Sequence, residues 1–163
     1  MLIPIELQLS SIFKNKKILI VGVGNVLRAD DGVGPYIISC FKEKKVGFDL
    51  LDTGTTPENF TEDIIKLKPE IIIIIDAAYM NKKPGEICFF NGDSIPETSI
   101  STHNISMRVI SGLWKNLTNA EINFIGIEPE NTNWEEDISQ IVKKSADKLI
   151  SLFLISAGTC LAP

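Results

Sequence analysis

Gly22-Val-Gly24-Asn25-Val-Leu27-Arg28-Ala-Asp30-Asp31-Gly32-Val-Gly34-Pro35 decides how this chain is read. The apolar run ahead of it, Lys17 to Val23, reads as a buried strand, and Gly22 with Gly24 permits a tight turn out of that strand. A strand, a Gly-x-Gly turn and a helix make the opening of a dinucleotide-binding unit. The third glycine of that fingerprint would fall at position 27, which is Leu27. The helix then opens on Asp30 and Asp31, so a pyrophosphate would meet carboxylates where it needs amide donors and the positive end of a helix dipole. The segment disfavours an anion and favours a cation or a metal-bearing partner.

Outward from this turn, strand and helix patterns alternate. Val33, Ile37, Ile38 and Phe41 recur at helical spacing, with Pro35 in the first turn where it is tolerated. Val46 to Leu51 reads as a second strand. Thr56 and Pro57 are the N-cap and first position of a helix carrying Phe60, Ile64 and Leu67, which stops before Pro69. Glu70 to Asp76 encloses five consecutive isoleucines, apolar to both faces, and predicts a central strand covered on each side. Glu86 to Phe90 and Glu121 to Ile127 are further strands, and Asp93 to Ser101, which contains Pro96, reads as a loop. Ile105, Val109, Ile110, Leu113, Trp114 and Leu117 predict an amphipathic helix from Ser101 or Thr102, and Ile138 to Phe153 carries a last one. The expectation is one α/β domain over residues 1–163, a three-layer α/β/α sandwich around a mostly parallel twisted sheet of about five strands.

Composition narrows the function classes. With 163 residues, 44% hydrophobic and 23% charged, the chain can bury a sizeable core. A net charge of −5 argues against nucleic acid as a partner, because phosphate neutralisation needs a basic face. Met1 to Ser11 lacks the basic start and long apolar core of a signal peptide. The apolar run Leu149 to Leu161 is shorter than the roughly 20 residues of a membrane span. Cys40, Cys88 and Cys160 have no metal or redox spacing, which suits buried thiols in a reducing cytoplasm.

In open α/β sheets, sites form beyond the carboxyl ends of the strands. Asp31, at the close of the first turn, Asp76, at the end of the isoleucine strand, and His103, the single histidine, all fall there. Two carboxylates and an imidazole suit a first-row divalent metal, and three ligands leave coordination positions open. Other readings stand beside this one. Asp30 or Asp31 suits a helix cap or dipole partner, Asp76 suits a bond to loop amides, and a lone histidine suits a surface or core position. A zinc-protease H-E-x-x-H and a G-x-S-x-G elbow are both absent. Asn25 and Arg28 read as loop residues with a secondary chance of touching a peptide, Trp114 and Trp134 as packing, and Glu128 and Glu130 as solvated.

The chain resembles the nickel–iron hydrogenase maturation endopeptidases over nearly its whole length. The resemblance rests on Gly22 to Gly34, on Ile75-Asp76-Ala77-Ala78 followed by Pro84-Gly85, and on Ser101-Thr102-His103-Asn104. Gly54 to Asn59 and Gly126-Ile127-Glu128-Pro129 are similar to the branch that processes hydrogenase-3-like large subunits. Leu27 fits the family's first motif. The resemblance implies a cytoplasmic endopeptidase that removes the C-terminal extension of a hydrogenase large-subunit precursor after nickel insertion. It implies nickel, carried by the precursor, as the metal, and Asp31, Asp76 and His103 as the residues that contact it and support cleavage. No nucleic acid and no membrane insertion are expected. Two alternatives use the same features: a non-catalytic nucleotide- or flavin-binding module, and a nickel carrier.

Overall fold

Five isoleucines in a row can be satisfied only where both faces of a strand are covered, and the fold is built around that requirement. In a computed structural model, which describes residues 4–13, 15–95, 100–101, 106–135 and 137–158, Ile71 to Ile75 are all fully buried. They open strand β3 (Ile71–Tyr79). Its parallel neighbours are β1 (Ile18–Gly22) and β6 (Glu121–Ile127). Strand β2 (Asp49–Asp52) runs parallel outside β1, and β4 (Ile87–Asn91) runs antiparallel outside β6, giving the order β2-β1-β3-β6-β4.

Alternation along β3 sorts its side chains between two cores. Ile71, Ile73, Ile75 and Ala77 face helices α1 (Ile5–Ile12), α2 (Val33–Lys44) and α5 (Gln140–Ser156). Ile72, Ile74 and Ala78 face α3 (Thr61–Leu67) and α4 (Met107–Thr118). Each fully buried isoleucine contributes about 1.5–3 kcal/mol relative to exposure, so this strand alone is a large part of the driving force. The three-layer α/β/α architecture and the mostly parallel sheet are as expected. No described helix is long and apolar enough to cross a membrane.

Several boundaries differ from the sequence reading, for reasons that matter to the site. Strand β3 does not end at Asp76. Asp76 pairs with Gly126 and Ala77 with Ile127, so β6 carries the strand past Asp76 to Ala77. Beyond that, Ala78 and Tyr79 pair antiparallel with Ser101 and Ile100, which form the short strand β5 (Ile100–Ser101) at the end of the stretch read as a loop. With those backbone groups committed to sheet pairing, α4 begins at Met107 rather than at Ser101 or Thr102. Its buried face is Met107, Ile110, Ser111 and Trp114, whereas Val109, Leu113 and Leu117, expected on the same face, are exposed. Helix α1 has no counterpart in the sequence reading, although Ile5, Leu9 and Ile12 follow helical spacing and pack into the core with α5.

Candidate functional site

The turn after β1 is shaped by close backbone approach. Gly24 has φ +148, and a Cβ there would lie 1.8 Å from the Asp31 carbonyl oxygen. A Cβ on Gly34 would lie 2.2 Å from the Val23 carbonyl oxygen and 2.7 Å from that of Ile75. The first turn of α2 is therefore pressed onto the ends of β1 and β3, and only glycine permits it. The close-packing glycine that a dinucleotide fingerprint would put at position 27 is supplied here by Gly34. Between these contacts runs a 3-10 turn, Ala29–Gly32, which carries both aspartates and packs against β3.

Asp30 and Asp31 are neighbours with different environments. Asp30 is fully buried and faces the loop between β6 and α5. Its Oδ2 accepts from the Glu130 amide (2.8 Å), the Asn131 amide (3.1 Å) and the Ser139 hydroxyl (3.0 Å). Its Oδ1 accepts from the Ser139 amide at 2.7 Å. Backbone bonds reinforce this clamp: Ala29, at φ +44, donates its amide to the Glu135 carbonyl at 2.5 Å, and Asp30 donates to that of Asn131 at 3.3 Å. Asp30 thus serves as a latch for a loop a hundred residues away in sequence.

Asp31, also buried, faces back into its own turn: its Oδ2 accepts from the Asn25 amide at 3.0 Å. That amide is one a nucleotide phosphate would need, and the chain's own carboxylate occupies it, which speaks against the nucleotide or flavin reading. Asn25 and Arg28 are structural in the turn itself. Asn25 Oδ1 accepts from the Leu27 amide (2.9 Å), and the Arg28 amide donates to the Asn25 carbonyl (3.1 Å). The Arg28 Nε donates to the Thr132 carbonyl at 3.1 Å, and its guanidinium lies 5.5 Å from the centre of the Trp134 ring.

Asp76 reaches the same edge from the middle of the sheet. Strand β1 stops at Gly22, opposite Ile75, so Asp76 is the first residue of β3 beyond it. The Val23 amide donates to the Ile75 carbonyl at 2.9 Å, tying the Asp31 turn to the residue before Asp76. Asp76 is fully buried and, alternating with Ile74 and Ala78, falls on the α3/α4 side of the sheet. His103 lies outside the described residues. Its segment connects β5, paired beside Ala78 and Tyr79, to α4. Among the described residues no three histidine, cysteine, aspartate or glutamate side chains gather into a metal cluster.

Other groups are assigned roles that the sequence did not display. Glu128, expected to be solvated, is buried, and its Oε2 accepts from the amides of Met80 (2.7 Å) and Lys82 (3.2 Å). Because β3 runs on to Tyr79, it delivers amides beyond its last pairing, and a buried amide needs an acceptor. Trp114 is packing, as expected, with its Nε1 donating to the Thr61 hydroxyl at 3.1 Å. Trp134 is not: it is 76% exposed. Cys40 and Cys88 are free thiols, and burial pushes the Cys88 thiol up; Cys160 lies outside the described residues. Tyr36 on α2 donates its hydroxyl to Asp147 Oδ1 on α5 at 2.8 Å; burial first, then that bond, raises its pKa well above the ordinary phenol range.

Comparison with known proteins agrees with this architecture. A Methanocaldococcus jannaschii protein provisionally named a hydrogenase maturation protease is 36% identical over 158 residues, covering 91% of this chain and 93% of its own. The hydrogenase 3 maturation protease of Escherichia coli K12 is 32% identical over 128 residues, covering 77% of this chain and 81% of its own. The crystal structure of HycI, a [NiFe] hydrogenase maturation protease from Thermococcus kodakarensis KOD1, superposes with TM-score 0.83 at 28% identity, over 93% of this chain and 99% of that one. The family model for HycI, hydrogenase maturation protease, matches residues 36–156. With a family model across most of its length and a shared fold, this chain belongs to the HycI hydrogenase maturation protease family.

Proposed function

We propose that this protein is a nickel-directed endopeptidase that removes the C-terminal extension of a nickel–iron hydrogenase large-subunit precursor once nickel has been inserted. The observation that carries the reading is the placement of Asp31 and Asp76, two buried carboxylates brought to one edge of the sheet by a glycine turn and by the strand beyond β1. Burying a carboxylate costs several kcal/mol unless the fold gains from it. The four donors gathered on Asp30 account for its burial as a structural latch.

In this reading the nickel belongs to the substrate. It arrives bound by precursor thiolates and takes Asp31, Asp76 and His103 into its remaining positions, so an empty precursor lacks the recognition element. Water attacks the scissile carbonyl carbon, the C–N bond breaks, and the proton released by the water goes to the leaving amine. Two routes activate that attack: polarisation of the carbonyl or water by the nickel, and proton removal by a carboxylate. Cys40 and Cys88, both unbridged, accord with work in the reducing cytoplasm.

The test is cleavage of purified nickel-loaded precursor by wild-type protein and by Asp31→Ala, Asp76→Ala and His103→Ala variants, with the extension followed by mass. Loss of the released fragment in all three, in variants that remain folded by circular dichroism, is expected. Full activity in any of them contradicts its assignment.

A further inference from the structure

We propose that the Val26–Leu27 corner of the glycine turn, with the cleft beside it, is the surface on which the precursor polypeptide docks through apolar side chains next to its scissile bond. This rests on the endopeptidase reading above and adds the residues that hold the substrate. The corner is unusual in composition. The Arg28 amide closes a four-residue turn onto the Asn25 carbonyl, which puts Val26 and Leu27 at the two central positions. Turn corners are ordinarily polar or glycine, yet these two side chains are 57% and 51% exposed. The turn cannot fold them away, because Asn25 Oδ1 holds the Leu27 amide and Asp31 holds the Asn25 amide.

On one side Val26 borders an open cleft of about 360 Å³, whose other walls include Gly32, Pro35, Tyr36 and Ile138. Its size is at the lower end for a small-molecule pocket and its walls are mainly apolar, which suits side chains of a bound peptide better than a large cofactor. On the other side Arg28 reaches across to Thr132 and Trp134, and the Thr132 hydroxyl bonds the Tyr79 hydroxyl at 3.0 Å. This bridge runs from the turn before Asp31 to the end of the strand beyond Asp76, so the apolar corner is continuous with the proposed site. In this proposal a peptide seated at that site also lies against the corner. Three hydrogen bonds within residues 25–31 hold the corner in place, which lowers the ordering cost of docking.

Val26→Asp and Leu27→Asp place a residue that turns favour at an exposed position, so both variants fold. Each is assayed against nickel-loaded precursor for KM and kcat, and binding of that precursor to the wild-type protein and to each variant is measured separately by rapid mixing, before turnover. A KM raised at least tenfold with kcat within about twofold, and precursor binding weakened by a similar factor, are expected. Unchanged KM and binding in both variants overturn the docking surface and leave the endopeptidase reading intact. Binding that depends on Val26 and Leu27 without any cleavage by wild-type protein does the reverse. Failure of the wild-type protein to bind the precursor overturns both.

Discussion

Replacing each of two adjacent aspartates by asparagine separates support from chemistry. At Asp30, one oxygen accepts three donors and the other accepts the Ser139 amide. An asparagine keeps one carbonyl oxygen, so the best orientation retains the three donors on that atom and turns an NH2 toward the Ser139 amide. One charge-assisted bond becomes a donor facing a donor, at about 1.5–3 kcal/mol, and the remaining three lose their charge assistance. Water entering the loosened loop offsets part of this, leaving a destabilisation of about 2–4 kcal/mol. For a chain of this size that lowers Tm by roughly 5–15 °C. At Asp31 the carbonyl oxygen of an asparagine can still accept the Asn25 amide, so that bond survives the substitution, weakened by about 1 kcal/mol through the lost charge. Processing shows the opposite order: Asp31→Asn abolishes release of the extension, whereas Asp30→Asn retains it at temperatures well below its melting point. Thermal melts by circular dichroism and mass analysis of the precursor read the two effects. Greater destabilisation by Asp31→Asn than by Asp30→Asn would refute the assignment of the latch.

Three further outcomes follow from particular contacts. Gly34→Ala drives a Cβ into the backbone carbonyls of Val23 and Ile75, at a cost at or above about 3 kcal/mol, whereas Gly112→Ala, with open space around it in α4, stabilises by about 0.5–1 kcal/mol; denaturant melts of the pair check both signs. Glu128→Gln weakens the acceptor for the Met80 and Lys82 amides by about 1 kcal/mol, and amide hydrogen exchange speeds up at those two positions. The Tyr36 phenol, raised by burial and then by Asp147, binds its proton more tightly folded than unfolded, so its contribution is complete below the ordinary phenol range and is lost as pH rises through the folded value. Tyr36→Phe removes that alkaline component, as read in stability measured against pH.

The parts of the fold written in local pattern could be read directly. The isoleucine run declared a covered central strand, and Glu121–Ile127 matched its strand from end to end. What escaped was set by contacts far apart in sequence. Asp76-Ala77-Ala78 after the isoleucines has little β preference, and pairing with β6 and β5 keeps it extended. Asp30 and Asp31 are indistinguishable as adjacent letters; their separate roles come from amides at 130, 131 and 139. Glu128 looked solvated because its partners, the amides of Met80 and Lys82, exist as donors only once β3 runs past Asp76. Helix α1 was missed although its signal was present, since Ile5, Leu9 and Ile12 recur at helical spacing. Of the three candidate site residues, Asp31 and Asp76 lie at a common edge of the sheet, Asp76 within β3 rather than after it, and His103 lies outside the described residues.

The central claim is that substrate-bound nickel licenses the cut. Its most direct measurement is a side-by-side digestion of nickel-loaded and nickel-free precursor by the purified wild-type protein, with the released extension quantified by mass. Cleavage confined to the loaded precursor is the predicted result. Equal cleavage of both would contradict it.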